Sequence, residues 1–133
     1  MSPSRSRRSG SGVTFDTVRQ IAGALPGVEE GTSYGTPALR VRGKFFVRLR
    51  EDGESLVVKV GHDERDMLLA ADPKVFFITD HYVGYPAVLV RLSVIDADLL
   101  RSVLEDAWRR VAPQRLVTAH DTQQRPQRRR GKA

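Results

Sequence analysis

Residues 36–60 read TPALRVRGKFFVRLREDGESLVVKV, in which three apolar-rich runs are separated by two short polar links. The links contain Gly43 and Gly53, and glycine in a short polar link between apolar runs is typical of a β-hairpin. We therefore predict a three-stranded antiparallel meander. Its strands cover residues 38–41, 45–50 and 56–60.

The two links also predict the register of the strands. Asp52-Gly53 is typical of a two-residue type I′ turn, and Gly43 fits the left-handed position of a three-residue turn. Both turns place the same set of apolar side chains on one face of the sheet. The predicted cross-strand pairs are Leu49 with Leu56, Val47 with Val58, Phe45 with Val60, Val41 with Phe45, and Leu39 with Val47.

The opposite face of the meander is predicted to be basic, because side chains alternate between the two faces of a strand. Cationic side chains pair with phosphate oxygens, and an exposed ring stacks on a base, so this face is a candidate surface for nucleic acid. The alternative is an ordinary solvated face, since acidic residues of the 51–54 link lie at its edge. Its predicted members are Arg40, Phe46, Arg48, Arg50, Val57 and Lys59, extended by Arg91.

Amphipathic helices and two more strands flank the meander. Val18, Ile21, Ala22 and Leu25 recur at helical spacing, and a wider apolar stripe precedes Pro113. The predicted class is α+β, with a mainly antiparallel sheet of about five strands and helices packed on one face. Three helices are predicted: one that begins after the N-cap residue Thr14, one from the cap Asp63 to Ala71, and one from the cap Asp96 to Pro113. The two further strands are predicted over residues 75–79 and 87–93.

The net charge of +6 is concentrated at the two ends of the chain. Residues 1–12 carry +3 and residues 117–133 carry +4, which leaves −1 for residues 13–116. The ends have too little apolar surface to offset the entropy of ordering, so we predict one folded domain over 13–116 between two disordered basic tails. Such tails bind nucleic acid without sequence preference, or they serve as solubilising extensions.

Composition excludes several classes of protein. The chain has no cysteine, which excludes a disulfide framework, a thiolate zinc site and a cysteine nucleophile, and fits a reducing compartment. The longest apolar stretches are four or five residues, whereas roughly 20 are needed to span a bilayer. Residues 1–12 also lack the apolar core of a secretory signal. We therefore expect a cytoplasmic protein without a membrane partner.

The sequence shows no arrangement typical of catalysis. The glycine-containing segment 31–36 lacks both the Walker lysine and the spacing of a dinucleotide fingerprint. A nucleophilic Ser33, Thr36 or Thr79 would need His81 and a carboxylate beside it, and no spacing indicates such a group. We expect no metal, no cofactor and no enzymatic activity. The histidines His62, His81 and His120 share no metal-ligand spacing.

The segment 80–86 is a second candidate surface. Its side chains His81, Tyr82 and Tyr85 lie beside Gly84 and Pro86. Tyrosine combines apolar area with a polar tip, a combination that suits recognition. We predict that this loop contacts a protein partner or a small ligand; the alternative is that the rings cover the core between two strands.

Several motifs, taken in order, resemble the MmcQ/YjbR-like family. The resemblance covers residues 13–116 and implies a compact α+β fold, similar to frataxin-like and secretion-chaperone-like folds. It also implies DNA binding, through a likeness to double-wing DNA-binding modules, and brings no catalytic residues with it. If the family binds nucleic acid, the positions of this chain expected to contact it are Lys44, Arg48, Lys59 and His81. The motifs are ALPGVEE (24–30), YGTPALRVRGKFF (34–46), Phe76-Phe77, HYVGYPAVLVRL (81–92) and the helix of Trp108.

Two functions therefore follow from the sequence. The first is a non-enzymatic DNA-binding protein that contacts phosphates through the basic face and the arginine-rich tails. The second is a protein-interaction or small-ligand-binding module that uses the loop of His81, Tyr82 and Tyr85. An excess of arginine over lysine favours a bacterial source. The candidate nucleic-acid contacts are Arg40, Lys44, Arg48, Arg50, Lys59, His81 and Arg91.

Overall fold

The computed structural model describes residues 13–33 and 35–124, so both the predicted tail over 1–12 and residues 125–133 lie outside the described part. The elements are α1 (Phe15–Gly23), β1 (Val28–Ser33), β2 (Thr36–Val41), β3 (Lys44–Leu49), β4 (Ser55–Lys59), α2 (His62–Ala71), β5 (Phe76–Phe77), a 3₁₀ turn (Asp80–Tyr82), β6 (Ala87–Arg91), α3 (Ala97–Val111) and α4 (Gln114–Gln124).

The described strands form one antiparallel sheet of six strands in the order β1-β2-β3-β4-β6-β5. The predicted α+β class is confirmed, with six strands rather than about five. The strand missed from the sequence is β1, which contains Glu29 and Glu30, both exposed. Because β1 lies at an edge of the sheet, its polar side chains face water and show little apolar alternation.

The four helices of the described part of the chain pack most of their apolar side chains on one face of the sheet. At the centre of this main core lies Trp108, which is fully buried and donates from Nε1 to the carbonyl oxygen of Pro26 at 2.9 Å. A smaller apolar cluster lies on the opposite face. This second cluster consists of Val57, Ala87 and Leu89, with Phe45, Phe77 and Tyr82 packed against it.

The turn between β2 and β3 contains two residues, not the predicted three. Arg42 and Gly43 have positive φ angles of 53° and 84°, as a type I′ turn requires. Val41 therefore pairs with Lys44, and the predicted pair of Val41 with Phe45 is wrong.

A β-bulge then exchanges the predicted positions of two phenylalanines. Arg40 pairs with Phe45, but Leu39 pairs with Val47 as predicted, so β3 contains one extra residue between them. That residue is Phe46, which is fully buried in the main core, while Phe45 lies half-buried in the second cluster. The predicted basic-face position of Phe46 and the predicted core pairing of Phe45 are both wrong. A bulge turns successive side chains to one side, which strict alternation does not anticipate.

The register of β3 and β4 is as predicted, although their turn is of another type. Gly53 has a positive φ of 72° and Asp52 does not, so the turn is not type I′. The link is a four-residue loop over 51–54, closed by a hydrogen bond of 2.8 Å from the backbone N of Arg50 to the carbonyl O of Ser55. The confirmed pairs are Leu49 with Leu56 and Val47 with Val58.

Asp52 orders this loop through three hydrogen bonds. It accepts from the backbone N of Glu54 at 2.8 Å, and from the backbone N and hydroxyl of Ser55 at 3.0 and 3.1 Å. Burial alone raises the pKa of Asp52, but these hydrogen bonds and the charge of Arg50 outweigh it and lower the pKa. The ionised carboxylate is therefore the form that stabilises the folded loop.

We expect Asp52→Ala to lower the free energy of unfolding by about 1 kcal/mol at neutral pH, because hydrogen bonds of a partly exposed carboxylate are lost. A carboxylate with a lowered pKa stabilises the fold above its unfolded-state pKa, and this contribution is lost as the pH falls through the lowered value. The difference from wild type should therefore shrink in acid. Urea unfolding at several pH values measures it, with Glu54→Ala as the control; equal losses for both variants would contradict the assignment.

Other boundaries differ by a few residues. The N-cap Asp96 is confirmed, since it accepts from the backbone N of Leu99 at 2.8 Å, and Thr14 caps α1 as predicted. The N-cap of α2 is Gly61 rather than Asp63. The strands predicted over 75–79 and 87–93 are shorter, at Phe76–Phe77 and Ala87–Arg91.

The predicted start of the C-terminal tail at residue 117 falls inside α4, so that boundary is wrong for residues 117–124. His120 is buried edge-on to Trp108 with ring centroids 5.1 Å apart, and its Nε2 lies 3.2 Å from Oε2 of Glu105. Arg109 donates to Asp121 at 2.6 Å and to Glu105 at 2.9 Å, and these bonds raise the pKa of Arg109. Long-range contacts of this kind order a segment whose composition resembles a tail.

Candidate functional site

A cavity of about 660 Å³ opens on the sheet face opposite the helices. Strands β3, β4 and β6 form its floor, and the segment from Thr79 to Pro86 forms a wall. The cavity therefore lies where the predicted basic face meets the predicted aromatic loop. It is lined by Phe45, Arg48, Arg50, Glu51, Val57, Lys59, Thr79, His81, Tyr82, Tyr85, Pro86 and Ala87.

Arg48 is the buried cation of the cavity floor. Its position on β3 turns the side chain to the cavity face, where the residue is only 5% exposed. The guanidinium donates to the hydroxyls of Tyr82 and Thr36, at 3.2 and 3.3 Å, and to the carbonyl of Leu49 at 3.3 Å. These bonds fix the orientation of a charge that burial makes costly.

Lys59 and Arg50 add two further cations. The Nζ atom of Lys59 lies 4.7 Å from the ring centroid of Phe45, and among the described residues it has no carboxylate partner within ion-pair distance. Arg50 differs, because its Nη1 lies 3.2 Å from the carboxylate of Asp52. Lys59 is therefore the cation most available to an incoming anion.

Three rings form the aromatic wall of the cavity. The ring centroids of His81 and Tyr82 are 4.9 Å apart, those of His81 and Tyr85 are 5.5 Å apart, and those of Tyr82 and Tyr85 are 6.1 Å apart. Tyr82 is partly buried by the second cluster, whereas Tyr85 is 51% exposed. Tyr82 therefore packs on the second cluster, whereas His81 and Tyr85 are exposed and line the cavity.

Arg65 holds the backbone of this aromatic wall in position. It belongs to α2, is 8% exposed, and donates from Nη1 to the carbonyl oxygens of Tyr82, Val83 and Tyr85 at 3.1, 3.2 and 2.9 Å. The carbonyls of Tyr82 and Tyr85 also accept from the backbone N of Tyr85 and of Ala87, so Arg65 adds to the hydrogen bonds of the loop's own backbone. Arg65 was not a candidate site residue in the sequence, because its role depends on contacts 17 to 20 residues away.

The structure brings together four of the seven predicted nucleic-acid contacts. Arg48, Arg50, Lys59 and His81 line the cavity together with Tyr82 and Tyr85. The other three do not line it. Arg40 donates to the carbonyl of Thr32, Arg91 donates to the carbonyl of Lys74 at 3.2 Å and stacks on Phe77, and Lys44 is exposed in β3 at the hairpin.

Besides Arg65, the sequence analysis did not assign Phe45, Glu51 and Thr36 to the site. Phe45 was assigned to the other face because the bulge was not anticipated. Glu51 was taken as a turn residue, yet it lines the cavity 3.6 Å from Nη1 of Arg48. Thr36, considered only as a nucleophile, binds the guanidinium of Arg48.

No group of three or more metal-ligating side chains occurs within the described residues. In that same part of the chain, no helix is long and apolar enough to cross a membrane. His81 contacts the rings of Tyr82 and Tyr85 and makes no side-chain hydrogen bond to a described residue.

These features define a small α+β domain with a six-stranded antiparallel sheet and a basic, ring-walled cavity on its open face. The YjbR family model matches residues 23–110. The chain belongs to the YjbR family, as the sequence motifs indicated.

The chain is also similar to proteins of two mycobacterial species and to one solved structure. One uncharacterised protein of Mycobacterium bovis and two of Mycobacterium tuberculosis strains are each 31% identical over 121 residues, covering 80% of this chain and 94% of theirs. The crystal structure of Deinococcus radiodurans protein DR2400, a DUF419 domain, superimposes with a TM-score of 0.61. It is 22% identical and covers 71% of this chain and 75% of that chain, a likeness that concerns the fold.

Proposed function

We propose that this chain is a non-enzymatic binding protein whose ligand is a small molecule carrying both an anionic group and a planar ring. The observation that carries the proposal is the buried Arg48, held at the floor of the cavity under a wall of aromatic rings. A recess of about 660 Å³ is within the range of small-molecule sites, roughly 300–1,000 Å³. A protein partner would favour a flatter surface.

The charge of the lining supports an anionic ligand. Arg48, Arg50 and Lys59 oppose a single lining carboxylate, that of Glu51. Burying a guanidinium costs free energy, and hydroxyl partners do not neutralise its charge. The Glu51 carboxylate lies 3.6 Å from this guanidinium, beyond hydrogen-bond distance, and a ligand oxyanion would form the charge-assisted hydrogen bonds that this contact lacks.

The rings support a planar group on the same ligand. Tyr85 and His81 are exposed side chains beside the cationic floor, and aromatic faces stack on planar groups with little loss of side-chain entropy. A nucleotide combines a phosphate with a planar base in one molecule. Adenosine monophosphate is therefore a suitable probe for the full-length protein.

We expect Lys59→Met to weaken binding of adenosine monophosphate about tenfold, because the variant removes a cation at the cavity that has no competing carboxylate. The matched control is Lys44→Met, which makes the same change of charge outside the cavity lining. An amide NMR titration of both variants and wild type measures the affinities and locates the shifts. Equal weakening by both variants would show general charge attraction and would contradict the proposed site.

Nucleic-acid binding is the second candidate function, favoured by the exposed Arg42 and Lys44 at the end of the strand that carries Arg48. The phosphates of a rigid duplex cannot approach a guanidinium that is 5% exposed at the floor of a recess. A single strand can place one phosphate and one base in the cavity. This function therefore concerns single-stranded rather than duplex DNA.

Fluorescence anisotropy over a salt series separates the two candidates. If DNA is the ligand, a labelled oligothymidylate should bind the full chain more tightly than a mixed-sequence duplex, and Lys59→Met should weaken it more than Lys44→Met. If both DNAs bind equally, with an affinity that salt abolishes and neither variant changes, binding comes from charge outside the cavity.

A further inference from the structure

We infer that the carboxylate of Glu51 occupies the anion subsite of the ligand-free protein, and that the oxyanion of a ligand displaces it from Arg48. The inference rests on the proposed binding function and adds a defined subsite to it. The ligand group that fits is a carboxylate or a phosphate, since both present oxygens in the geometry that a guanidinium binds.

The carboxylate of Glu51 lies where the oxyanion of a ligand would contact Arg48. Its Oε2 lies 3.6 Å from Nη1 of Arg48, so a carboxylate already faces the buried cation from the cavity side. The side chain of Glu51 is 64% exposed, whereas that of Arg48 is 6% exposed. One partner is thus fixed in the floor and the other can leave toward water.

Glu51 is not needed to orient Arg48. The guanidinium is already held by the hydroxyls of Thr36 and Tyr82 and by the carbonyl of Leu49. At 3.6 Å, the Glu51 contact is longer than a hydrogen bond and contributes charge rather than geometry. Its neighbour Asp52 differs, because three hydrogen bonds tie that carboxylate to the loop.

This arrangement makes Glu51 an internal competitor for the ligand. Each binding event must break the attraction between Glu51 and Arg48, so the wild-type carboxylate lowers the affinity for every oxyanion at this subsite. Because Glu51 lies in the 51–54 loop, ligand binding should also change the environment of that loop. An ordinary structural ion pair would have neither effect.

The experiment compares Glu51→Gln with Glu54→Gln in the full chain. The two substitutions remove the same charge from the same loop, and only Glu51 lines the cavity. The probes are adenosine monophosphate for a phosphate ligand and benzoate for a carboxylate ligand, with adenosine as the uncharged reference. Affinities are measured by calorimetry and amide NMR, and thermal unfolding confirms that each variant is folded.

We expect Glu51→Gln to tighten binding of at least one anionic probe about fivefold, the size of a partly exposed ion pair, and Glu54→Gln to change it less than twofold. Whichever probe responds identifies the ligand oxyanion, and adenosine should not respond. Binding of a probe by Glu51→Gln, together with no detectable binding by wild type, would also support the inference.

Three outcomes would overturn the inference. Equal tightening in both variants would show a general charge effect, and unchanged or weaker binding in Glu51→Gln would show that Glu51 does not compete. In those two cases the proposed function survives, because wild type still binds. Failure of wild type and Glu51→Gln to bind either probe would overturn the proposed function together with the inference.

Discussion

Replacing Arg65 with methionine should lower the free energy of unfolding by about 3 kcal/mol, because a buried donor shared by three carbonyl groups is lost. Its Nη1 binds the carbonyls of Tyr82, Val83 and Tyr85, which lie in a segment without strand pairing. Methionine fills much of the space but donates nothing. The aromatic wall should therefore lose its position, and binding of adenosine monophosphate should weaken at least about tenfold.

Urea unfolding and an NMR titration test both parts of this expectation. The matched control is Arg101→Met, the same substitution at an exposed position of α3, for which a change below about 0.5 kcal/mol is expected. A stability of Arg65→Met equal to that of the control would mean that the loop does not depend on Arg65.

Replacing Arg48 with methionine should mainly weaken ligand binding, whereas replacing Arg65 should mainly lower the stability of the fold. Binding of adenosine monophosphate should weaken about thirtyfold or more, because the buried cation of the floor is lost. Stability should stay within about 1 kcal/mol of wild type or rise, since a buried charge is replaced by an apolar side chain of similar size. The hydroxyl of Tyr82 lines the open cavity and can turn to water, whereas the carbonyl of Val83 has no backbone donor among the described residues to replace Arg65.

Stability and affinity measured on the same Arg48→Met sample separate a functional residue from a structural one. A loss of stability of 3 kcal/mol or more, on the order of that for breaking a buried charge network, would assign Arg48 to the fold. Loss of binding with stability retained would assign it to ligand recognition. The contrast between Arg48 and Arg65 thus tests two buried arginines of one site with the same substitution.

Much of the fold could be predicted because local signals agree with tertiary structure there. The apolar alternation and the two glycine links predicted the meander, and its β3–β4 register is correct even though the turn at Gly53 is of another type. The stripe that ends before Pro113 likewise predicted α3. In both cases the spacing of the apolar residues fits only one type of secondary structure.

The errors occur where distant contacts outweigh local pattern. The bulge at Phe46 cannot be read from alternation, because its apolar neighbours fit either face. The helix α4 has few apolar positions, and it is ordered by contacts of His120 and Asp121 with α3.

The candidate site was predicted as two separate surfaces because its halves are distant in the sequence. Arg48 and Lys59 come from the meander, while Tyr82 and Tyr85 follow more than 20 residues later. The hydrogen bond between the hydroxyl of Tyr82 and the guanidinium of Arg48 joins them, at a separation of 34 residues. Sequence patterns within a single helix or strand cannot predict a contact between residues so far apart in the chain.

A calorimetric comparison of adenosine monophosphate, adenosine and inorganic phosphate on the full-length wild-type protein tests whether one cavity holds both the ring and the oxyanion. If one cavity binds a ring and an oxyanion together, adenosine monophosphate should bind at least about tenfold more tightly than either of its parts. Amide shifts should then fall on both the β3–β4 floor and the 79–86 wall. Equal affinities for adenosine monophosphate and inorganic phosphate, with no shifts at Tyr82 or Tyr85, would contradict a combined site.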